Sequence, residues 1–202
     1  MKKLLALVVL CACGAAPPPI RLTEDWHACG GDYAAITDSW TRRGVLRGQY
    51  QEVLDVAATF KAPDWRAAHA AREADHRGLD ADSKAKLCAQ AQADAAGPYE
   101  VELMVTTWDR NENDLDRGKK SVWRVVLVDD TGKEIEPMEI VKDKRPQFTV
   151  RAEFPALGDF AVAYVARFPR DSAVLGPNAR AVKLRMSSER GGVELAWKSG
   201  EN

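Results

Sequence analysis

The chain has 202 residues, of which 46% are hydrophobic, a composition that supports a real core and excludes wholesale disorder. Its 29 basic and 30 acidic side chains leave a formal charge of -1, and the balance holds in each half: 10 against 12 over residues 20 to 97, and 17 against 18 over 98 to 202. No phosphate-binding field arises from such a distribution, which excludes nucleic acid as a partner.

The amino terminus carries an address. Lys2 and Lys3 make a short basic start, and Leu4 to Leu10 is an unbroken apolar run, together the pattern of a secretory signal. Seven apolar residues are too few to span a bilayer, which needs about 20, and no other stretch of the sequence approaches that length. Leu10-Cys11-Ala12-Cys13-Gly14 then resembles the lipobox of bacterial lipoproteins. The resemblance implies cleavage after residue 12 and lipid on Cys13, with several acyl chains giving a stable membrane anchor. Gly14, rather than Asp, after that cysteine implies the outer membrane. Residues 13 to 28 are expected to be a spacer, since Ala15 to Pro19 reads as stiff, extended chain.

Export makes disulfides permissible, and removing Cys11 and Cys13 leaves Cys29 and Cys88 as an even pair expected to join. From residue 29 to 97 the pattern is helical. Tyr33, Ile36 and Trp40 recur at three- and four-residue steps, as do Leu46, Tyr50, Val53, Leu54 and Ala57, with Gly44 between the two sets. A third helix is expected from Pro63 to Gly78, and a fourth, capped by Asp80 or Asp82, through Leu87, Cys88 and Ala91. A disulfide-tied unit of about four helices results.

Gly97-Pro98 breaks that pattern, and the apolar period then switches to two. Strands are expected at Tyr99 to Val105, Trp123 to Leu127, around Ile135, Phe148 to Phe154, Phe160 to Phe168, Val182 to Met186, and Val193 to Trp197. Seven short strands over residues 98 to 199 point to an immunoglobulin-like antiparallel β-sandwich, so the fold class is α+β.

Chemistry is sparse in this sequence. No GxSxG, HExxH, P-loop or GxGxxG occurs, and no catalytic residue, cofactor or metal is assigned. His69, Glu73 and His76 share a stripe of the third helix, but the histidines stand two turns apart, roughly 10 Å, so one ion reaches only one of them with Glu73. Asp109, Asn111 and Asn113 place oxygens at alternate positions, as a calcium loop does. Asp114 and Lys120 then stand where an EF-hand loop needs Gly and Glu, so a polar connection is the better reading. Of the six tryptophans, Trp40, Trp123 and Trp197 lie on apolar stripes. Trp26, Trp65 and Trp108, at element edges, join Asp109, Asn111, Asn113 and Asp114 as candidate binding residues, either exposed to a sugar ring or protein partner or buried where helices meet strands.

Trp40-Thr41-Arg42, Ala58-Thr59-Phe60, Trp65-Arg66-Ala67-Ala68, Asn113-Asp114-Leu115, Trp123 and Gly132 with Pro137 resemble a group of uncharacterised proteobacterial lipoproteins. That resemblance implies export and a two-part architecture, and supplies no catalytic residues. The expected function is a membrane-anchored envelope lipoprotein that binds an envelope protein or cell-wall glycan without catalysis. The alternative is a carbohydrate-active hydrolase with paired carboxylates where helices meet strands.

Overall fold

The computed structural model describes residues 20 to 170 and 174 to 200. The expected signal segment, Cys13 and the proline run lie outside those residues. Ile20 and Leu22, just beyond the prolines, already belong to the core, at 6% and 3% exposure. Ile20 bridges Ser199 in parallel, and its carbonyl accepts from the Gly200 amide.

Helix α1 (Tyr33–Trp40) starts where the Asp32 carboxylate accepts from the Ala34 and Ala35 amides, the usual N-cap chemistry. Strands β1 (Thr41–Arg47) and β2 (Glu52–Phe60) follow as a hairpin. Helix α2 (Pro63–His76) opens on a proline, whose missing N–H costs nothing there, and ends before Gly78 at φ 60°. The Asp80 carboxylate caps α3 (Ala81–Ala95) by accepting from the Ser83 amide at 2.9 Å. Then come β3 (Tyr99–Thr107), two short 3₁₀ turns, β4 (Arg124–Val128), β5 (Glu134–Ile135), β6 (Glu139–Lys142), α4 (Gln147–Glu153), β7 (Val162–Phe168), β8 (Ala181–Ser188) and β9 (Gly191–Lys198). Among the described residues no helix is long and apolar enough to cross a membrane.

Two expected elements are corrected. Residues 41 to 60 form a β-hairpin in place of the second helix, so the segment from 29 to 97 holds three helices and two strands. Leu54, Val56, Ala58 and Phe60 are buried on one face of β2 while Val53, Ala57 and Thr59 are buried on the other. Burial on both faces hides the period of two that marks a half-exposed strand. Residues 147 to 153 form α4 in place of a strand. Val150 and Phe154, four apart, are each 1% exposed while Phe148 is 78% exposed, so the burial follows a helical step.

All strand pairs are antiparallel, in a five-stranded sheet of order β1-β2-β3-β7-β6 and a four-stranded sheet of order β5-β4-β8-β9. The larger sheet takes strands from both sides of Gly97. The immunoglobulin order expected for residues 98 to 199 is not reproduced: it would place the second strand of that segment beside the first and fifth, whereas β4 pairs β5 and β8.

Register sorts the larger sheet into two faces. Val56, Ala58 and Phe60 of β2 stand opposite Val105, Leu103 and Val101 of β3, and Leu103 and Val101 stand opposite Tyr164 and Ala166 of β7. This face packs against the smaller sheet, whose Leu184, Leu195 and Trp197 are 0 to 2% exposed. Trp197 meets Phe60 edge-on at 5.7 Å and donates from Nε1 to the Trp40 carbonyl at 2.8 Å. Gly44 of β1 lies under β9, where a Cβ would stand 2.8 Å from Leu195 Cδ2. The buried Arg42 donates to the carbonyls of Ala196, Ser39 and Thr41. The opposite face carries Ala57, Thr59, Glu100, Glu102, Met104, Thr106, Ala163 and Val165, and the helices lie on it. The Cys29–Cys88 disulfide ties the segment before α1 to α3, as the sequence implied.

Candidate functional site: the helix-side trough

Between the helices and the larger sheet runs a trough that begins in an ionic layer. Lys61, in the two-residue link from β2 to α2, places Nζ 2.9 Å from Glu102 Oε2 and 3.9 Å from Glu100 Oε2. Glu102 is wholly buried, with Lys61 as the cation beside it. Burial therefore pushes the Glu102 carboxyl above the usual range, against the pull of Lys61. Glu100 differs. Burial pushes it upward too, but Lys61 and the guanidiniums of Arg167 and Arg66, at 2.7 and 2.9 Å, outweigh that and hold it below the usual range.

A second cluster lies alongside. Arg145 grips Asp143 and reaches Glu153 at 2.7 Å, while His69 Nε2 stands 3.7 Å from Glu153. Burial raises both carboxyls, but Arg145, joined by His69 at Glu153, lowers them by more. Aromatic rings wall this layer: Trp65 stacks between Phe154 at 5.5 Å and His69 at 5.0 Å. A cavity of about 310 Å³ sits over these charges.

Asp143 and Arg145 also line a second cavity of about 580 Å³ beside α4, where Val150 and Leu157 face Thr106 and Ala163. Thr106, Thr107, Arg110 and Phe160 then continue into a third, of about 420 Å³, completed by Glu52, Asp55 and Trp108. The polarity of the trough changes along its length. At the helix end Glu100, Asp143 and Glu153 are each matched by a basic side chain and partly sealed. At the far end two large rings stand in solvent, Trp108 at 66% and Phe160 at 75% exposure, beside the exposed Asp55 and Arg110. Among the described residues neither of those two side chains makes an ion pair or hydrogen bond, whereas Glu52 pairs with Arg47.

The structure separates the candidate residues read from the sequence. Trp108 is exposed in the trough. Trp65 is 3% exposed and donates to Thr37 Oγ1, so it is a packing residue and no surface platform. Trp26 is half-buried in the segment before α1 and lines none of these three cavities. The polar loop is held by its own bonds. Asp109 accepts from the Asn111 amide and side chain, Asn113 donates to the Val105 carbonyl and accepts from Tyr164, and Asp114, 4% exposed, accepts from Ser121 and Val122. Of these four, Asn113 alone lines the trough. Among the described residues no group of three or more His, Cys, Asp or Glu is placed to hold a metal ion; His69 faces Glu153, and Glu73 pairs with Arg77.

Asp55, Arg110 and Phe160 were missed as site residues. Phe160 sits in a period-two pattern that reads as core, and an isolated exposed Asp or Arg carries no signal. Only the β2–β3 register, with Asp55 opposite Thr106, brings them to Trp108.

The positions that carry the lipoprotein resemblance are largely internal fasteners: Thr41 bonds Thr59, Arg66 reaches Glu100, and Trp123 donates to the Glu112 carbonyl. No protein family, curated protein or solved structure matches this chain.

Proposed function

We propose that this chain is an envelope lipoprotein, tethered through lipid on Cys13 to a membrane, the outer one by the Gly14 rule, and that its folded body is a non-enzymatic binding module. The observation that carries the binding role is the far end of the trough. Two large aromatic rings exposed side by side are costly to leave in water, and the exposed carboxylate and guanidinium beside them, unpaired among the described residues, can orient an anchor contact. The anchor rests on the amino-terminal pattern alone.

Two tests address the two parts. Cys13→Ser moves the protein from the membrane to the soluble fraction; unchanged sedimentation with membranes removes the anchor. A photo-crosslinker placed at Glu52, at the edge of the pocket, captures an envelope component in cells, and Trp108→Ala abolishes that capture. Capture that ignores Trp108→Ala removes the module.

One observation favours the hydrolase alternative: Glu100 and Glu102 flank the same lysine with opposed pKa directions, a pattern that can divide acid and base roles. Glu102 is sealed beneath Lys61, however, and Glu100 is engaged by three cations. Neither carboxyl is free to meet a substrate, so the binding reading is preferred.

A further inference from the structure

We infer that the pocket between Trp108 and Phe160 is a subsite for a neutral sugar ring, an inference that rests on the binding role proposed above and names its ligand class. Of the seven residues lining this cavity, Trp108 and Phe160 are the large apolar ones; the others are Glu52, Asp55, Thr106, Thr107 and Arg110. An apolar peptide side chain seeks an enclosure that is apolar all round, and here the two rings stand among five polar or charged residues. A pyranose has two kinds of surface, flat faces of C–H groups and a rim of hydroxyls. The C–H faces suit the electron-rich faces of the indole and phenyl rings, and the hydroxyl rim needs acceptors and donors around it.

Charge narrows the class. With Glu52 matched by Arg47, the charges at the pocket that are unmatched among the described residues are Asp55 and Arg110, which are equal and opposite. A cationic ligand would meet the guanidinium and an anionic one the carboxylate, whereas a neutral polyol uses both. Asp55 accepts from two ring hydroxyls, and Arg110 donates to ring or hydroxyl oxygens.

The neighbouring cavity, about 580 Å³, shares Phe160 and Arg110 with this pocket. A glycan therefore extends from one into the other, passing over Phe160, and oligomers bind more tightly than single sugars.

The test is calorimetric titration of the purified full chain with three neutral tetrasaccharides: the β-1,4 N-acetylglucosamine tetramer, cellotetraose and maltotetraose. At least one binds, its monosaccharide binds more weakly, and Trp108→Ala and Phe160→Ala each weaken it roughly tenfold or more, the loss of one good contact. Tyr50→Ala removes an aromatic ring that is 89% exposed but lies outside the trough, and it leaves binding unchanged. Thermal unfolding of each variant establishes that it is folded, and Asp55→Asn, a surface change, provides a second perturbation of the pocket that lowers affinity without removing a ring. Absence of binding by all three sugars up to about 10 mM, beyond the millimolar range, overturns the inference, as does binding insensitive to Trp108→Ala. Should the Glu52 crosslinker capture a protein in a Trp108-dependent manner while the sugars fail, the ligand class falls and the module stands. Failure of both removes both.

Discussion

Removing the Cys29–Cys88 bridge tests how the helical layer is held. The two cysteines are 59 positions apart, and for a closed loop of that size the chain-entropy account gives about 4 kcal/mol of stabilisation through the unfolded state. In a domain of this size that corresponds to a fall in Tm of roughly 8 to 16 °C. The structure adds where the effect concentrates. None of the residues of α3 is buried, and besides its packing on α2 the helix has an exposed Lys84–Asp75 pair and the bridge itself. In the Cys29→Ser, Cys88→Ser double variant, urea unfolding shifts to lower concentration, and hydrogen exchange accelerates across 81 to 95 before it does in β3 or β8. A loss below about 1 kcal/mol with α3 protection unchanged would refute this account, because the cross-link would then restrict neither the unfolded chain nor the helix.

Three further predictions concern the body of the fold. Gly44→Val drives a branched side chain into Leu195 and costs about 1 to 3 kcal/mol in urea unfolding; Leu195→Ala in the same chain recovers part of that, and strict additivity would count against the contact. Arg42→Ala strips three carbonyls of a charged donor and costs at least about 2 kcal/mol, a loss not repaired by Arg42→Met if the hydrogen bonds are what matter. Stability falls on acidification. Glu100, Asp143 and Glu153 have folded pKa values below the ordinary carboxylate range, so their contribution is complete above the unfolded pKa, near 4, and is lost as pH drops through the folded values. Glu102 opposes them: raised by burial, it favours the folded state below the unfolded value and loses that contribution as pH rises through the folded one. Arg145→Gln therefore flattens the acid limb of a stability-against-pH curve, and an unaltered limb would exclude the Asp143–Arg145–Glu153 cluster as its source.

The elements legible in the sequence are those with one clear face or a chemical punctuation mark. Pro63 and Gly78 bracket α2, Asp80 starts α3, and β3, β4, β8 and β9 were visible as strands; setting aside Cys11 and Cys13 as part of an expected export signal left Cys29 and Cys88 as the even pair. Tertiary structure decided the rest. β2 is covered by the smaller sheet on one side and by helices on the other, which erases its alternation, and α4 carries apolar residues at spacings that fit a strand until burial selects Val150 and Phe154. The site depended on this most of all. Trp108 stood out by its polar neighbours, but Asp55, Arg110 and Phe160 come from three separate stretches of chain, and a pocket built by strand register leaves no trace in local pattern because register is fixed only when the sheet assembles.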